Sequence, residues 1–374
     1  MLVLVTYENY PSGSPGAKRN HSLAQAFYAY GYDTLVIHKG EISQQNNIPQ
    51  ITLYRNNKYN KWLLFWWRTL CELRLLRKQK NIDAVVIYSC GLLLGKWIIK
   101  KWCNYHGIKV IFDVVEWYSK EQFKHGLWSL NYQTKQFENS HIIDKKCRVI
   151  TISKYLRDYY ENKGCTTARI PIVCDKNIIA EPSIIRTDSY RTMIYAGSHF
   201  DMDNIPLILS ALASLPKQLL SNIKFEIFGY SEEYIKNRIG NEIWTKIEDV
   251  INAHGRQPND IVMKAYKNAD FTILLRNPNY RVNQAGFPSK VIESMSQGVA
   301  IMCNYSSDLK DFLTDGENAI IVNELDVNSL AQSISRIILL SNDDVQRLKL
   351  NSIETVRMKF CYEHYNDEIR TLLS

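Results

Sequence analysis

Short apolar runs of strand length alternate with helical stretches along almost the whole chain, and that alternation allows few folds. Residues 2–5, 34–37, 83–88, 109–113, 148–152 and 168–173 read as strands in the first half. Residues 192–196, 224–228, 271–275, 299–303 and 317–322 read as strands in the second. Apolar runs joined by helices are the pattern of parallel sheets covered on both faces. Between the two sets, 175–190, with Glu181-Pro182, has weak periodicity and reads as a linker. A chain of 374 residues also exceeds one ordinary core. The expectation is therefore an α/β protein of two sheet domains, 1–174 and 191–355, leaving a cleft between their strand ends. A last helix, 356–374, is expected to return to the first domain.

Local signals refine this. In residues 2–37, Pro11, Gly13, Pro15 and Gly16 make a loop, and a helix is expected from Asn20 or His21 until Gly31. The loop is not a GxGxxG and no Walker lysine motif occurs, so neither a nicotinamide cofactor nor a P-loop is indicated. After Asp113, Glu116, Trp117 and Tyr118 fall just past a strand's carboxyl end, where open parallel sheets place ligands. Ser153 reads as the cap of the helix ended by Gly164. The second half reads as a helix over 205–215, a strand ending at Gly229, one long helix over 231–252, and another over 260–268. Residues 269–304 then give a strand, a basic loop (276–286) and a short helix entered at Pro288 and closed by Gly298. A helix N-terminus there favours an anion. Glu293, one turn in, could accept hydrogen bonds from a sugar diol. An ordinary strand–helix–strand with a solvated Glu fits the spacing equally well.

Charge and cysteine usage bound the partners. The net charge of +8 suits nucleic acid, a lipid surface or a phosphorylated substrate. Residues 55–109 mix Lys and Arg with Trp62, Trp66, Trp67, Trp97 and Trp102. The stretches YNKWLLFWWRTLCELRLLRKQK and GKWIIKKW suit an anionic membrane surface, or else core tryptophans under a lysine coat. No apolar run reaches the roughly 18–20 residues of a membrane span, being cut by Arg68, Lys96, Lys100 and Lys101. The N-terminus lacks the basic region of a signal peptide. The eight scattered cysteines form no CxxC pair and show no Cys-His metal spacing. A reduced, cytoplasmic protein without structural zinc is expected. No nucleic-acid module is recognisable, so that partner is not expected.

Five segments in order carry a resemblance. They are YAGS (195–198), FEIFG (225–229), HGRQPNDIVMKAYKNADFTILL (254–275), GFPSKVIESMSQGVAIM (286–302) and DGENAIIV (315–322). The second half resembles retaining GT-B glycosyltransferases, specifically glycosyltransferase family 4. The first half resembles them more loosely, through PSGSPGAKRNHSLAQAFYAYGYDTLVI, ISKYLRDYYENKG and IPIVCD. The resemblance implies two Rossmann-like domains facing across a cleft, the first for acceptor and the second for nucleotide sugar. It implies a hexosyltransferase of the EC 2.4 class. A sugar would pass from a UDP- or GDP-linked donor to an acceptor hydroxyl with retention, without metal or cofactor. The acceptor would be a saccharide in polysaccharide or glycolipid assembly; the Trp- and Lys-rich stretches favour a lipid-linked one, met by a cytoplasmic protein peripheral on the inner face of the cell membrane. A sugar-nucleotide epimerase of the same architecture is the alternative, and a basic nucleic-acid-binding protein ranks last.

Site residues follow from the same resemblance. The family marks its donor site with a Glu, seven residues and a second Glu. The second, which binds the ribose, falls on Glu293. The first falls on Ala285, so Asn283 and Gln284 are expected to supply amide hydrogen bonds to the sugar. The family's Arg and Lys after the first glycine of the second domain are here Ser198 and Asp203 or Asn204. The diphosphate clamp is therefore expected from Arg276, Arg281 and Lys290, with Arg281 and Lys290 favoured. The DMD at 201–203 reads as incidental. Glu116 stands where the family often has a His, and could orient an acceptor hydroxyl or take its proton; a capping or salt-bridged acid is the alternative. Trp117 and Tyr118 suit sugar stacking or core equally. The candidate catalytic pair is Glu116 and Asn283. The candidate nucleotide-sugar residues are Gly16, Gly197, Ser198, Gly229, His254, Gly255, Arg256, Arg276, Arg281, Gln284, Ala285, Gly286, Phe287, Pro288, Ser289, Lys290 and Glu293.

Overall fold

The computed structural model describes residues 1–11, 14–40, 47–53, 61–88, 92–181 and 190–374, with side chains left out at 61 and 62. Gly13, Cys90, the Trp62 side chain, the start of the basic cluster and half of the expected linker (182–189) lie outside the described residues.

The first sheet uses β1 (Leu2–Val5), β2 (Thr34–His38), β3 (Gln50–Thr52), β4 (Ala84–Tyr88), β5 (Lys109–Val114), β6 (Arg148–Thr151) and β7 (Thr166–Arg169). Their spatial order is β3-β2-β1-β4-β5-β6-β7, and every pair is parallel. The intervening helices are α1 (Pro15–Ala29), α2 (Lys61–Gln79), α3 (Leu93–Tyr105), α4 (Leu130–Phe137) and α5 (Lys154–Asn162). Parallel strands need such crossovers, which cover both faces, so β1 and β4 are apolar and buried at every position. The α1 helix opens at Pro15, earlier than expected. Ser14 caps it, accepting from the Ala17 N–H at 3.0 Å, and Pro15 needs no N–H there. Gly16 thus lies in the helix's first turn rather than in a loop, and a Cβ on it would meet the Tyr88 hydroxyl.

The second sheet uses β8 (Arg191–Ala196), β9 (Ile223–Phe228), β10 (Ile251–Gly255), β11 (Phe271–Leu274), β12 (Ala300–Cys303) and β13 (Ala319–Ile321), in the order β10-β9-β8-β11-β12-β13. Between them lie α6 (Ile205–Ala213), α7 (Lys217–Leu220), α8 (Glu232–Ile239), α9 (Asn241–Ile247), α10 (Asn259–Lys267), α11 (Arg281–Ala285) and α12 (Ser289–Met295). The chain ends with α13 (Val327–Leu339), α14 (Asn342–Lys359) and α15 (Asn366–Leu373). The long helix expected over 231–252 is instead α8, α9 and the edge strand β10. Gly240, at φ +84°, breaks the helix, and only glycine takes that geometry without strain.

Two compact units result. One holds Met1–Asp175, Tyr280–Phe287 and Phe360–Ser374; the other holds Lys176–Asn279 and Pro288–Lys359. Residues 280–287, expected in the second domain, contain α11 and cluster with the first unit. The reason is local bonding. The Ser153 hydroxyl donates to the Ala285 carbonyl at 2.7 Å, and the Val282 N–H donates to Ser119 Oγ at 2.8 Å. The last segment supplies Ile369 and Leu372 to the first unit's core, beside Leu2, Leu4 and Ala84. That unit also buries charge. Arg19 grips Asp113 through Nε and Nη2, at 2.8 and 2.7 Å, and donates to the Pro171 carbonyl at 2.8 Å.

Candidate functional site

In an open parallel sheet the crevice lies where strand order reverses, at the carboxyl ends. In the second unit that point is between β8 and β11, which pair through Met193–Phe271 and Thr272–Ile194. Gly197 follows β8 and Gly229 follows β9. Gly229 has φ +111°, and a Cβ on it would strike the Gly197 carbonyl oxygen. Its N–H donates to the Gly255 carbonyl at 2.7 Å, and the Gly255 N–H donates to Tyr230 at 3.0 Å. The Gly197 N–H donates to the Phe228 carbonyl at 3.2 Å, so three strand ends are knitted by backbone bonds. Above them opens a pocket of about 290 Å³, lined by Gly197, Ser198, Phe228, Tyr230, Arg256 and Val262 among others. His254 stacks on Phe228 with ring centres 4.4 Å apart, and its Nε2 meets Glu226 Oε2 at 2.5 Å. It therefore supports the pocket wall.

Beside this pocket the second unit gathers its charge. Asp203, fully buried after β8, holds Lys290 Nζ at 2.5 Å, Arg276 Nη2 at 2.9 Å and the Tyr195 hydroxyl at 2.9 Å. Burial pushes the Asp203 carboxyl up, but Lys290 and Arg276 outweigh it, so the group sits below the usual carboxylate range. Burial pulls the Lys290 ammonium below the ordinary lysine range; Asp203 opposes the fall and Arg276 adds to it. Burial and the Asp203 charge both raise the Tyr195 phenol. Lys290 also lies over the Tyr195 ring, 4.3 Å from its centre. A side chain at Gly197 would collide with Lys290 Nζ and the Tyr195 hydroxyl. The absence of a Cβ is what lets the β8 loop lie against the cations. Arg276 is aligned by Asn304, whose Oδ1 accepts from the Arg276 N–H at 2.8 Å.

Glu293 is half-buried on α12, one turn beyond Lys290, and its charge bears on both Lys290 and Tyr266. Pro288 and Ser289 begin that helix, with no side-chain cap at its entry. Arg276, Lys290, Glu293 and Gly197 are therefore brought together as members of one unit.

Within the second unit Lys290 shares Asp203 with Arg276; Arg281 belongs to the first unit. Arg281 donates to the Tyr118 carbonyl through Nε at 3.2 Å and Nη2 at 2.5 Å, and to the Tyr132 hydroxyl at 3.1 Å. Its guanidinium also stacks over Trp117 at 4.9 Å. These contacts are all within the first unit and tie α11 to the segment after β5. Asn283, Gln284, Gly286 and Phe287 belong to the same unit. Asn283 is buried, and Phe287 packs on Phe360 at 5.8 Å, a core contact. Ala285 is fully buried, and its carbonyl accepts from the Ser153 hydroxyl. Trp117 is buried too, its Nε1 donating to Gln136 at 2.7 Å, and so is core rather than a sugar platform. Glu116 is half-buried past β5 and makes no hydrogen bond or ion pair among the described residues. Gly16 lies in the first unit, against Tyr88.

Sequence reasoning missed Asp203 as the hub. Its signal was an acid standing where the family has a lysine. Of the two acids in DMD, Asp203 serves these cations and Asp201 pairs with Arg238 at 2.8 Å.

Comparisons with known proteins agree with this geometry. Residues 179–354 match the family model described as glycosyl transferases group 1. A Salmonella typhimurium protein, WcaL, whose name assigns it as a glycosyltransferase of colanic acid biosynthesis, is 23% identical over 128 residues. That match spans 34% of this chain and 32% of the relative, about a third of its length. Among solved structures, the sucrose-phosphate synthase of Thermosynechococcus elongatus aligns with a TM-score of 0.70 at 15% identity, covering 99% of this chain and 97% of that one. A Rickettsia africae glycosyltransferase aligns with a TM-score of 0.68 at 15% identity, covering 100% and 97%. Anabaena HepE, solved with UDP and glucose, aligns with a TM-score of 0.68 at 14% identity, covering 99% and 98%. The fold is that of GT-B glycosyltransferases, two Rossmann-like parallel-sheet units.

Proposed function

We propose that the chain is a glycosyltransferase of the group 1 type, moving a sugar from a nucleoside diphosphate sugar to an acceptor hydroxyl in polysaccharide or glycolipid assembly. The observation that carries this reading is the Lys290–Asp203–Arg276 cluster at the switch point of the second sheet, against Gly197. Two cations on one carboxylate leave one positive charge facing a loop stripped of side chain, which suits a diphosphate. The neighbouring pocket, with Phe228, Tyr230 and Arg256, takes the nucleoside. Glu293 accepts from the ribose diol. As the glycosidic bond to the diphosphate breaks, negative charge grows on the leaving oxygen, and Lys290 and Arg276 stabilise it in place. That supports a reaction run without a metal, and with retention as in the family it resembles. Glu116, whose carboxylate has no ion-pair partner among the described residues, orients the acceptor hydroxyl. A UDP or GDP donor is favoured; HepE, of the same fold, was solved with UDP and glucose.

The test is a thermal-shift screen over UDP-, GDP-, ADP-, CMP- and dTDP-sugars, followed by turnover with and without saccharide acceptors. A UDP- or GDP-sugar should raise the melting temperature, as any ligand selective for the native state does. Turnover should need an acceptor. No shift with any donor sinks the reading, and sugar conversion without acceptor replaces it with an epimerase.

A further inference from the structure

The α2 and α3 helices pack side by side on the first sheet, and their N-terminal halves leave a groove. Its volume is about 280 Å³, and its walls include Leu63, Leu64, Trp67, Leu94 and Ile98. Trp66 is buried at its floor, and Gly95 lets α3 approach the Trp66 ring, which any Cβ would strike. The walls are open to solvent: Trp67 is 61% exposed, Leu63 52%, Leu94 51% and the adjacent Trp97 43%. Water-facing apolar surface concentrated in this way marks an interaction site.

The charge around it names the partner. Arg74, Arg77 and Lys78 are exposed on the C-terminal half of α2, and Lys101 is exposed on α3. None of the four has an acidic partner among the described residues. The α3 helix carries no acid at all, and α2 carries one, Glu72. The two remaining lysines of α3 do not belong to this surface. Lys96 is buried against Glu138, and Lys100 is buried with its Nζ 2.7 Å from Asp144. The outward face is therefore leucine, isoleucine and tryptophan beside uncompensated cations, the composition of an interfacial surface. Among the described residues no helix is long and apolar enough to cross a membrane.

We propose that the α2–α3 groove docks the first unit on an anionic lipid bilayer. Trp67, Leu63, Leu64 and Leu94 enter the headgroup boundary, and Arg74, Arg77, Lys78 and Lys101 meet anionic headgroups. These helices follow β3 and β4, so the groove lies toward the carboxyl edge of the first sheet. Docking there brings a lipid-linked hydroxyl to the edge where this fold takes ligands. The docking itself does not rest on sugar transfer, and its test contains no donor.

The experiment is flotation of the full chain with phosphatidylcholine vesicles, with and without 30% phosphatidylglycerol, at low and high salt. Wild type should float with the anionic vesicles at low salt and much less at high salt. Trp67→Ser/Leu94→Ser should lose about tenfold or more. Arg74→Glu/Arg77→Glu should lose about 25-fold or more, taking roughly fivefold per cation near an anionic surface. Brominated acyl chains should quench wild-type tryptophan fluorescence, a readout that needs no variant to fold. Four results would overturn the proposal: no flotation at low salt, no quenching, a folded groove variant that floats like wild type, or light scattering that shows the groove variant splitting a dimer into monomers.

Discussion

At the residue scale the site turns on Asp203. It stands where the resemblance would put a cation, yet it is the group that positions two cations. Arg276, Lys290 and Glu293 were legible in the sequence because they share one stretch of strand, loop and helix. Asp203 lies 87 residues before Lys290, at 2.5 Å from it, and only the β8–β11 pairing closes that distance. Removing its charge has a consequence with a definite sign. In Asp203→Asn, burial and Arg276 both pull the Lys290 ammonium down with nothing of equal strength opposing them. Lys290 then loses its proton as pH rises, and the diphosphate loses a partner. At pH 6.5 the variant, with one negative charge fewer, should bind UDP as well as wild type or better. By pH 9 it should bind more weakly. Calorimetry across that range checks it; parallel pH profiles would remove Asp203 from the role. Glu293→Ala should weaken nucleotide binding about 10–150-fold, the scale of a lost charge-assisted hydrogen bond, with the fold intact. Unchanged affinity would reject the ribose contact.

At the element scale the buried strands were readable and the edges were not. The runs at β1, β4 and β12 are continuous apolar segments, and β11 is interrupted only by Thr272, because helices cover both their faces. The edge strand β10 reads INAHG, with one strong apolar residue, and β3 is only three residues long. Neither carries a period that distinguishes it from loop or helix. The α11 turn was read as loop because its five residues include no helix-length pattern; side chains and carbonyls of other elements hold it. The basic stretch GKWIIKKW was likewise ambiguous, since sequence alone does not show that Lys96 and Lys100 turn inward. Where a glycine joins elements, the cost of replacing it is calculable in sign. Gly229→Ala faces both a positive φ and the Gly197 carbonyl oxygen. It should destabilise the second unit by about 2 kcal/mol or more. Nucleotide binding should fall with it, because the β8 and β9 ends form the pocket wall. Denaturant melts and UDP titration read both, and a variant as stable as wild type would mean the loop has another way to close.

At the scale of the whole molecule, two units are drawn from one chain that passes between them after Asp175, Asn279, Phe287 and Lys359. Neither unit is one continuous stretch, so the C-terminal segment is part of the first core rather than a tail. Ile369 and Leu372 are fully buried there. The Leu372 carbonyl accepts from Arg148 at 2.8 Å, and the Ser374 carbonyl accepts from Lys109 at 2.9 Å. A cavity at Ile369 should therefore be felt more than two hundred residues away in sequence. Ile369→Ala removes most of a buried side chain and should cost about 2–5 kcal/mol. The loss belongs to the first unit, so unfolding need not stay a single transition. Hydrogen exchange read by mass spectrometry should show faster exchange in β5, β6 and β7, against which α15 is held. Strands β8 to β13 should keep wild-type protection. Uniformly faster exchange in both sheets would mean instead that the units unfold as one, and the boundary at Lys359 would have no energetic meaning.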